Sequence, residues 1–353
     1  MAMSLSLLSS ATSFASADAG IQCGVASGQF ALNPPTLTSA VGTGKLSFWW
    51  NWNTAPGVDT TGLSASTIAA MQKSFVPMLW GQAPPGDFDF LQYAEGDVMG
   101  YNEPDLYGPP CCNCDGKQSY YPATSSGWLP LFDPANAATL WKDTVTNLTS
   151  TQRSGTTLRR IVSPSMANGA KPAVGVDCTL DPAASGNTKR CEGWLSMFKA
   201  ATLKLKCSKF DGTQTNCWDV IDAIQIHAYA KSASDVLTNI DDYLDVFSDD
   251  FAGSGGRSQK TLWLTEVAAA SNDGAEVAAF ASALMASSGG LADRTKYASV
   301  SHVSWFSEYF FPGFNVTGHV AKPAESWSSS LFNPFGGLTD VGSAFFAGCE
   351  KAR

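Results

Sequence analysis

Two glutamates occupy matching places in this chain. Glu103 follows an apolar run in Val98-Met99-Gly100-Tyr101-Asn102-Glu103-Pro104-Asp105, and Glu266 closes Thr261-Leu262-Trp263-Leu264-Thr265-Glu266-Val267. Strand alternation puts Met99, Tyr101 and Glu103 on one face of the first run, and Leu262, Leu264 and Glu266 on one face of the second. Pro104 restricts Glu103 to extended geometry. Carboxyls carried this way suit glycosidic cleavage, in which one protonates the leaving oxygen and the other attacks or stabilises the anomeric carbon. One such glutamate alone reads as a surface residue or a structural ion pair. Two at corresponding strand exits, one of them within Asn-Glu-Pro, favour catalysis.

Other chemistries lack their residues. The chain has no G-x-S-x-G elbow, no G-x-x-x-x-G-K-[ST] loop, no G-x-G-x-x-G and no H-E-x-x-H, and its three histidines are His227, His302 and His319. Asp105 and Glu308 are rival carboxylates, one beyond Pro104 and the other past the last strand. The net charge of -9 argues against nucleic acid and fits a neutral polymer. With 44% hydrophobic and 15% charged residues, a large buried core is easily built. The aromatic residues suit both that core and the faces of sugars.

The glutamates need a scaffold that brings strand ends together. Short apolar runs alternate with helix-like segments, the pattern of a parallel sheet with crossover helices. Eight strands are expected, at 24–26, 46–50, 75–80, 98–102, 160–164, 223–228, 261–266 and 302–306, the number that closes an α/β (β/α)8 TIM barrel. Asp133-Pro134 marks a helix start with Trp141, Val145 and Leu148 on one face. Val236, Ile240, Leu244 and Phe247 form another stripe, and an Ala-rich helix over 271–285 stops at Gly289-Gly290. Two connections are longer than plain barrel loops and are expected beside the cleft: 105–132, and the segments 167–191 and 207–217 between the fifth and sixth strands. No linker separates a second domain, so 21–353 reads as one catalytic barrel with Cys-bearing loop insertions.

Residues 1–20 read as a secretory signal or a disordered start: 5–14 is apolar and ends at Ala15-Ser16-Ala17, but no Lys or Arg precedes it. No segment holds the roughly 18 apolar residues that a membrane helix needs. Nine cysteines point to an oxidising compartment, hence a secreted or cell-wall location. Cys178 with Cys191 and Cys207 with Cys217 bracket polar segments and are expected as loop-closing disulfides. Cys111, Cys112 and Cys114 share one loop, with Cys23 and Cys349 as candidate partners, and the odd count leaves a thiol over. The ligand spacing of that loop is wrong for zinc and no nearby His completes a set. Sequons at Asn147 and Asn315 agree with secretion.

These motifs resemble the glycoside hydrolases of clan A, and more closely the glycosyl hydrolase catalytic core group, glycoside hydrolase family 128, the endo-β-1,3-glucanases. The likeness is carried by Phe48-Trp49-Trp50-Asn51-Trp52, Phe75-Val76-Pro77-Met78-Leu79-Trp80-Gly81, Gly100-Tyr101-Asn102-Glu103-Pro104-Asp105, Ser163-Pro164-Ser165 and Trp263-Leu264-Thr265-Glu266. It implies a retaining hydrolase with Glu103 as acid/base and Glu266 as nucleophile. It further implies that Asn102 bonds the sugar 2-hydroxyl, that His227 and Tyr229 orient Glu266 or touch sugar, and that Trp305 floors the cleft. Trp80 and Asn51 are further candidate sugar contacts. Core packing is the alternative for His227, Trp305 and Trp80. The resemblance implies a β-glucan partner; carboxylates suffice for the reaction, so no cofactor or metal is expected, and a monomer with no nucleic acid or membrane partner is expected as well. Mannan, xylan or galactan hydrolysis, and a non-catalytic wall-glycan binder, remain open.

Overall fold

The structure, a computed structural model, describes residues 20–27, 44–81, 96–106, 131, 133–152, 160–172, 193–254, 258–306, 329–333 and 337–353. The leader region, the Cys111–Cys114 loop, Cys178, Cys191, Glu308, Asn315 and His319 lie outside the described residues.

Strands β1 (Gln22–Ala26), β2 (Phe48–Trp50), β3 (Asp97–Val98) and β4 (Arg160–Met166) are followed by a small hairpin, β5 (Lys206–Ser208) and β6 (Gln214–Asn216). Then come β7 (Ala223–Ala230), β8 (Thr261–Ala269) and β9 (Val300–Phe306). The large sheet has the order β2-β1-β9-β8-β7-β4-β3, and every pairing in it is parallel. Residues 75–80 close it: Phe75 bridges Trp49, Met78 bridges Met99, and the Leu79 N–H donates to Met99 O at 2.8 Å. With this eighth stave the sheet is a (β/α)8 barrel.

Helices α1 (Ala65–Ser74), α2 (Pro134–Gln152), α3 (Trp194–Thr202), α4 (Ala233–Val246), α5 (Ser248–Ala252), α6 (Gly274–Leu284) and α7 (Asp340–Lys351) cover it. Their starts follow from their caps. Asp133 accepts from the Ala135 N–H ahead of Pro134, Ser232 caps α4 through the Asp235 N–H, and Asp273 caps α6 through Ala275 and Glu276. The expected stripes are buried at Trp141, Val145 and Leu148 on α2, and at Val236 and Ile240 on α4 with Phe247 just beyond it.

Two cores result. Phe48, Trp50, Met78, Met99, Val162 and Trp263 fill the barrel, while Val25, Leu262, Leu264, Val303 and Trp305 belong to the layer between sheet and helices. Cys207–Cys217 forms as expected, across the β5–β6 hairpin. Cys23 pairs with Cys349, joining β1 to α7, so these two cysteines serve each other and not the Cys111 loop. The Asn147 sequon lies within α2, where its Thr149 is buried and donates to Val145 O.

Candidate active site

Glu266 reaches the barrel mouth by a break in strand regularity. Ile226 faces Leu264 and His227 faces Glu266, so β8 spends one extra residue, Thr265, against β7. Leu262 and Leu264 point outward to the helices and Trp263 inward. The expected shared face of Leu262, Leu264 and Glu266 is therefore corrected: the bulge turns Glu266 inward. Trp50 fixes the bulge, its indole N–H lying 3.2 Å from Thr265 O and 3.0 Å from Ser304 Oγ.

A similar irregularity delivers Glu103. Val98 and Tyr101 pack outward and Met99 inward, which separates Met99 from Tyr101 and again corrects the alternation expected of this run. Gly100 makes this passage work, because a Cβ there would lie 2.8 Å from the backbone of Ser163 and Pro164. The expected extended conformation of Glu103 is also corrected, since its φ is +47°. The chain doubles back there into the 3-10 turn Pro104–Leu106, with the Glu103 N–H bonded to Ser165 O at 3.0 Å. A left-handed non-glycine residue costs about 1–3 kcal/mol, a strain concentrated at functional sites.

These turns place Glu103 and Glu266 around His227. Its Nδ1 is 2.8 Å from Glu103 Oε1 and 3.4 Å from Glu266 Oε2. The Trp52 indole N–H donates to Glu266 Oε1 at 2.7 Å, and the Tyr229 hydroxyl donates to Oε2. Burial pushes the Glu266 carboxyl above its ordinary value; His227 opposes this, Glu103 adds to it, and the two hydrogen bonds moderate it. For His227 burial favours the neutral ring, but Glu266, Glu103 and Asp105 together outweigh it and raise the imidazole. Tyr229 is held well above its usual value by burial and by Glu266, so it stays a donor.

Asn102 is buried, and its Oδ1 accepts from Ser165 Oγ at 3.5 Å while its N–H donates to Trp80 O. Trp80 is half-buried against the barrel interior. Asp105 is fully buried and accepts from the Ala167 N–H, which removes it as a rival acid. Asn51 holds its own loop: its amide donates to Ala55 O at 3.2 Å and Pro56 O at 2.7 Å, and its Oδ1 accepts from the Asn53 N–H. Trp305 is a correction. It is fully buried between β9 and the helices, against Phe280 and Phe345, with its N–H on Ser329 O. Regular alternation points Ser304 and Phe306 inward and Trp305 outward, so it cannot touch a ligand in the barrel mouth.

The residue the sequence reading passed over is Trp52. Its ring meets Trp50 at 4.8 Å and Phe306 at 5.6 Å, and Phe306 also meets Tyr229 edge-on. The signal was present, because Phe48, Trp50 and Trp52 alternate and the first two line the barrel.

Ligand atoms of Glu103, His227 and Glu266 all lie within 4.8 Å of one another, close enough to meet around a cation. Donors already engage both oxygens of Glu266, however, and the imidazole nitrogen between the acids is itself bonded to one of them. These bonds already engage the atoms that would face such a cation.

The fold is similar to that of solved family 128 structures. A subgroup IV endo-β-1,3-glucanase from Lentinula edodes is 18% identical, with TM-score 0.52 over 92% of this chain and 98% of that one. A subgroup I endo-β-1,3-glucanase from Amycolatopsis mediterranei in complex with laminaripentaose is 19% identical, with TM-score 0.50 over 93% and 99%. A subgroup VII oligosaccharide-binding protein from Cryptococcus neoformans is 20% identical, with TM-score 0.50 over 98% and 100%. No curated protein matches the chain by sequence. The profile described as glycosyl hydrolase catalytic core matches residues 31–345, nearly the whole chain, and the protein belongs to that family.

Proposed function

We propose that the chain hydrolyses β-1,3-glucan within the polymer, with retention of configuration. Glu266 attacks the anomeric carbon while Glu103 protonates the departing oxygen; Glu103 then takes a proton from the water that releases the sugar from Glu266. The observation that carries this reading is that an oxygen of Glu103 and an oxygen of Glu266 lie within 4.8 Å of each other, with His227 bonded to the first and 3.4 Å from the second. An inverting pair stands roughly 6.5–9.5 Å apart to admit its water, and a retaining pair roughly 5–5.5 Å. Asn102 is assigned the sugar 2-hydroxyl, and His227 and Tyr229 hold the nucleophile.

The named activity of the Lentinula and Amycolatopsis enzymes, and the laminaripentaose in the latter, support a β-1,3-glucan substrate. The same barrel also serves an oligosaccharide-binding protein, so fold alone does not choose between cleavage and binding. The intact pair favours cleavage. The two disulfides support an oxidising, extracellular setting.

Purified protein tested on laminarin, mannan and xylan should release reducing ends from laminarin, with the β-anomer appearing first by proton NMR. First release of the α-anomer would defeat retention. Laminarin binding without release would favour the binding protein.

A further inference from the structure

We propose that Trp52 is a positioning residue for Glu266, its indole N–H fixing the plane of the carboxylate and stabilising its ionised form. This rests on the reading of Glu266 as nucleophile. Two donors converge on that group from two directions. β7 supplies the Tyr229 hydroxyl on Oε2, with His227 Nδ1 3.4 Å from the same oxygen, and the loop after β2 supplies the Trp52 N–H on Oε1 at 2.7 Å. That distance is in the range of charge-assisted hydrogen bonds. With a donor on each oxygen the carboxylate cannot turn about its last torsion without losing both.

Trp52 is suited to this in a way its neighbours are not. An indole N–H donates only, so it cannot exchange roles with a protonated carboxyl as an imidazole or hydroxyl can. It therefore favours the carboxylate in every state of the site. The backbone is committed to it as well. Trp52 and Glu103 are the only non-glycine residues with positive φ among the described residues, at +58° and +47°. Trp50, two residues earlier, is fully buried without such strain, so packing an indole here does not require it. The Asn51 amide pins the following turn and holds the left-handed bend. Among the described residues, the titratable groups facing Glu266 are Glu103, His227 and Tyr229, with Asp105 acting on His227. Burial and Glu103 disfavour its charge, while His227, Tyr229 and Trp52 favour it.

The test replaces Trp52 with 3-(benzothienyl)alanine, which keeps the ring shape and substitutes sulfur for N–H. Trp52→Phe serves as a second variant, and Glu266→Gln assigns the Glu266 resonance in 13Cδ-glutamate NMR. The Glu266 midpoint should rise by about one pH unit in the isostere, as expected for loss of a hydrogen bond to a charged group. The acidic limb of kcat/KM on laminarin should move with it, while KM changes little. An unchanged midpoint in the folded isosteric variant overturns the proposal, even if Trp52→Phe fails to fold. A shifted midpoint with a fully active Glu266→Gln would leave the positioning intact and overturn the assignment of the nucleophile.

Discussion

The two ends of the barrel both bury ionisable groups, but they finish the task differently. At the N-terminal ends of the strands Arg160, Asp250, Lys260 and Asp222 each meet a partner, either an opposite charge or a backbone dipole. Arg160 makes a bidentate contact with Asp97 at 2.7 Å and lies over Trp263, which stacks on His302. Asp250 accepts from Lys199 and from the Trp218 indole, Lys260 donates to Trp218 O and Ile221 O, and Asp222 accepts from the Ile161 N–H. At the C-terminal mouth two acids face each other across one imidazole, and Glu103 keeps 22% of its side chain exposed. Two residues there hold left-handed backbone. Burial alone therefore does not mark an active site. The floor gives each of these groups its own partner, whereas at the mouth two carboxylates share one imidazole, the arrangement that the proposed hydrolysis would use to meet positive charge on a sugar ring.

Substitutions at the mouth should give the largest effects and divide by role. Glu266→Gly is expected to abolish hydrolysis of every substrate, by at least about a thousandfold, with azide restoring turnover on an activated aryl glycoside. Glu103→Ala should lose roughly 10²–10⁴ on laminarin but little on that aryl substrate, whose leaving group needs no proton. Equal residual rates for the two variants on the aryl glycoside would remove the distinction between the glutamates.

The floor should answer in stability. Asp250→Ala strands Lys199 and the Trp218 N–H, at a cost of about 3–5 kcal/mol in urea unfolding, while kcat of the folded fraction stays unchanged. Loss of kcat without loss of stability would blur the contrast between the two ends.

The smallest effect concerns Lys260, held down to about 8 mainly by burial, with Asp250 and Asp222 opposing. Its folded value lies below its unfolded one, so the unfolded chain binds more protons between them. This group's contribution is complete above the ordinary lysine value and is lost as pH falls through about 8. The urea midpoint of the wild type should therefore rise from pH 8 to 10 relative to Lys260→Met. Parallel profiles would show that Lys260 is not strained by its burial.

Much of this was legible beforehand because strands and helices announce themselves locally. Apolar runs located the barrel staves, Asp133-Pro134 located α2, and polar bracketing located Cys207–Cys217. The faces were not legible. Period-two reasoning put Leu264 and Glu266 together and Tyr101 with Glu103, because a bulge leaves no residue signature beyond an unremarkable Thr265 or Gly100. Trp305 was misplaced for a different reason: aromatic character does not tell an outward residue on β9 from an inward one, and inward Phe306 stands beside it.

The sequence by itself determined that eight apolar segments would supply the barrel and that Glu103 and Glu266 would stand at two of their exits, since these depend on local patterning and chain order. Tertiary structure alone decided that both carboxylates point inward, that His227 lies between them, that Trp52 reaches back to Glu266, and that Cys23 finds Cys349. Each of these is a contact between segments far apart in the chain. Such contacts exist only once neighbouring strands fix their register against each other, and a single extra residue in that register turns a side chain from one face of the sheet to the other.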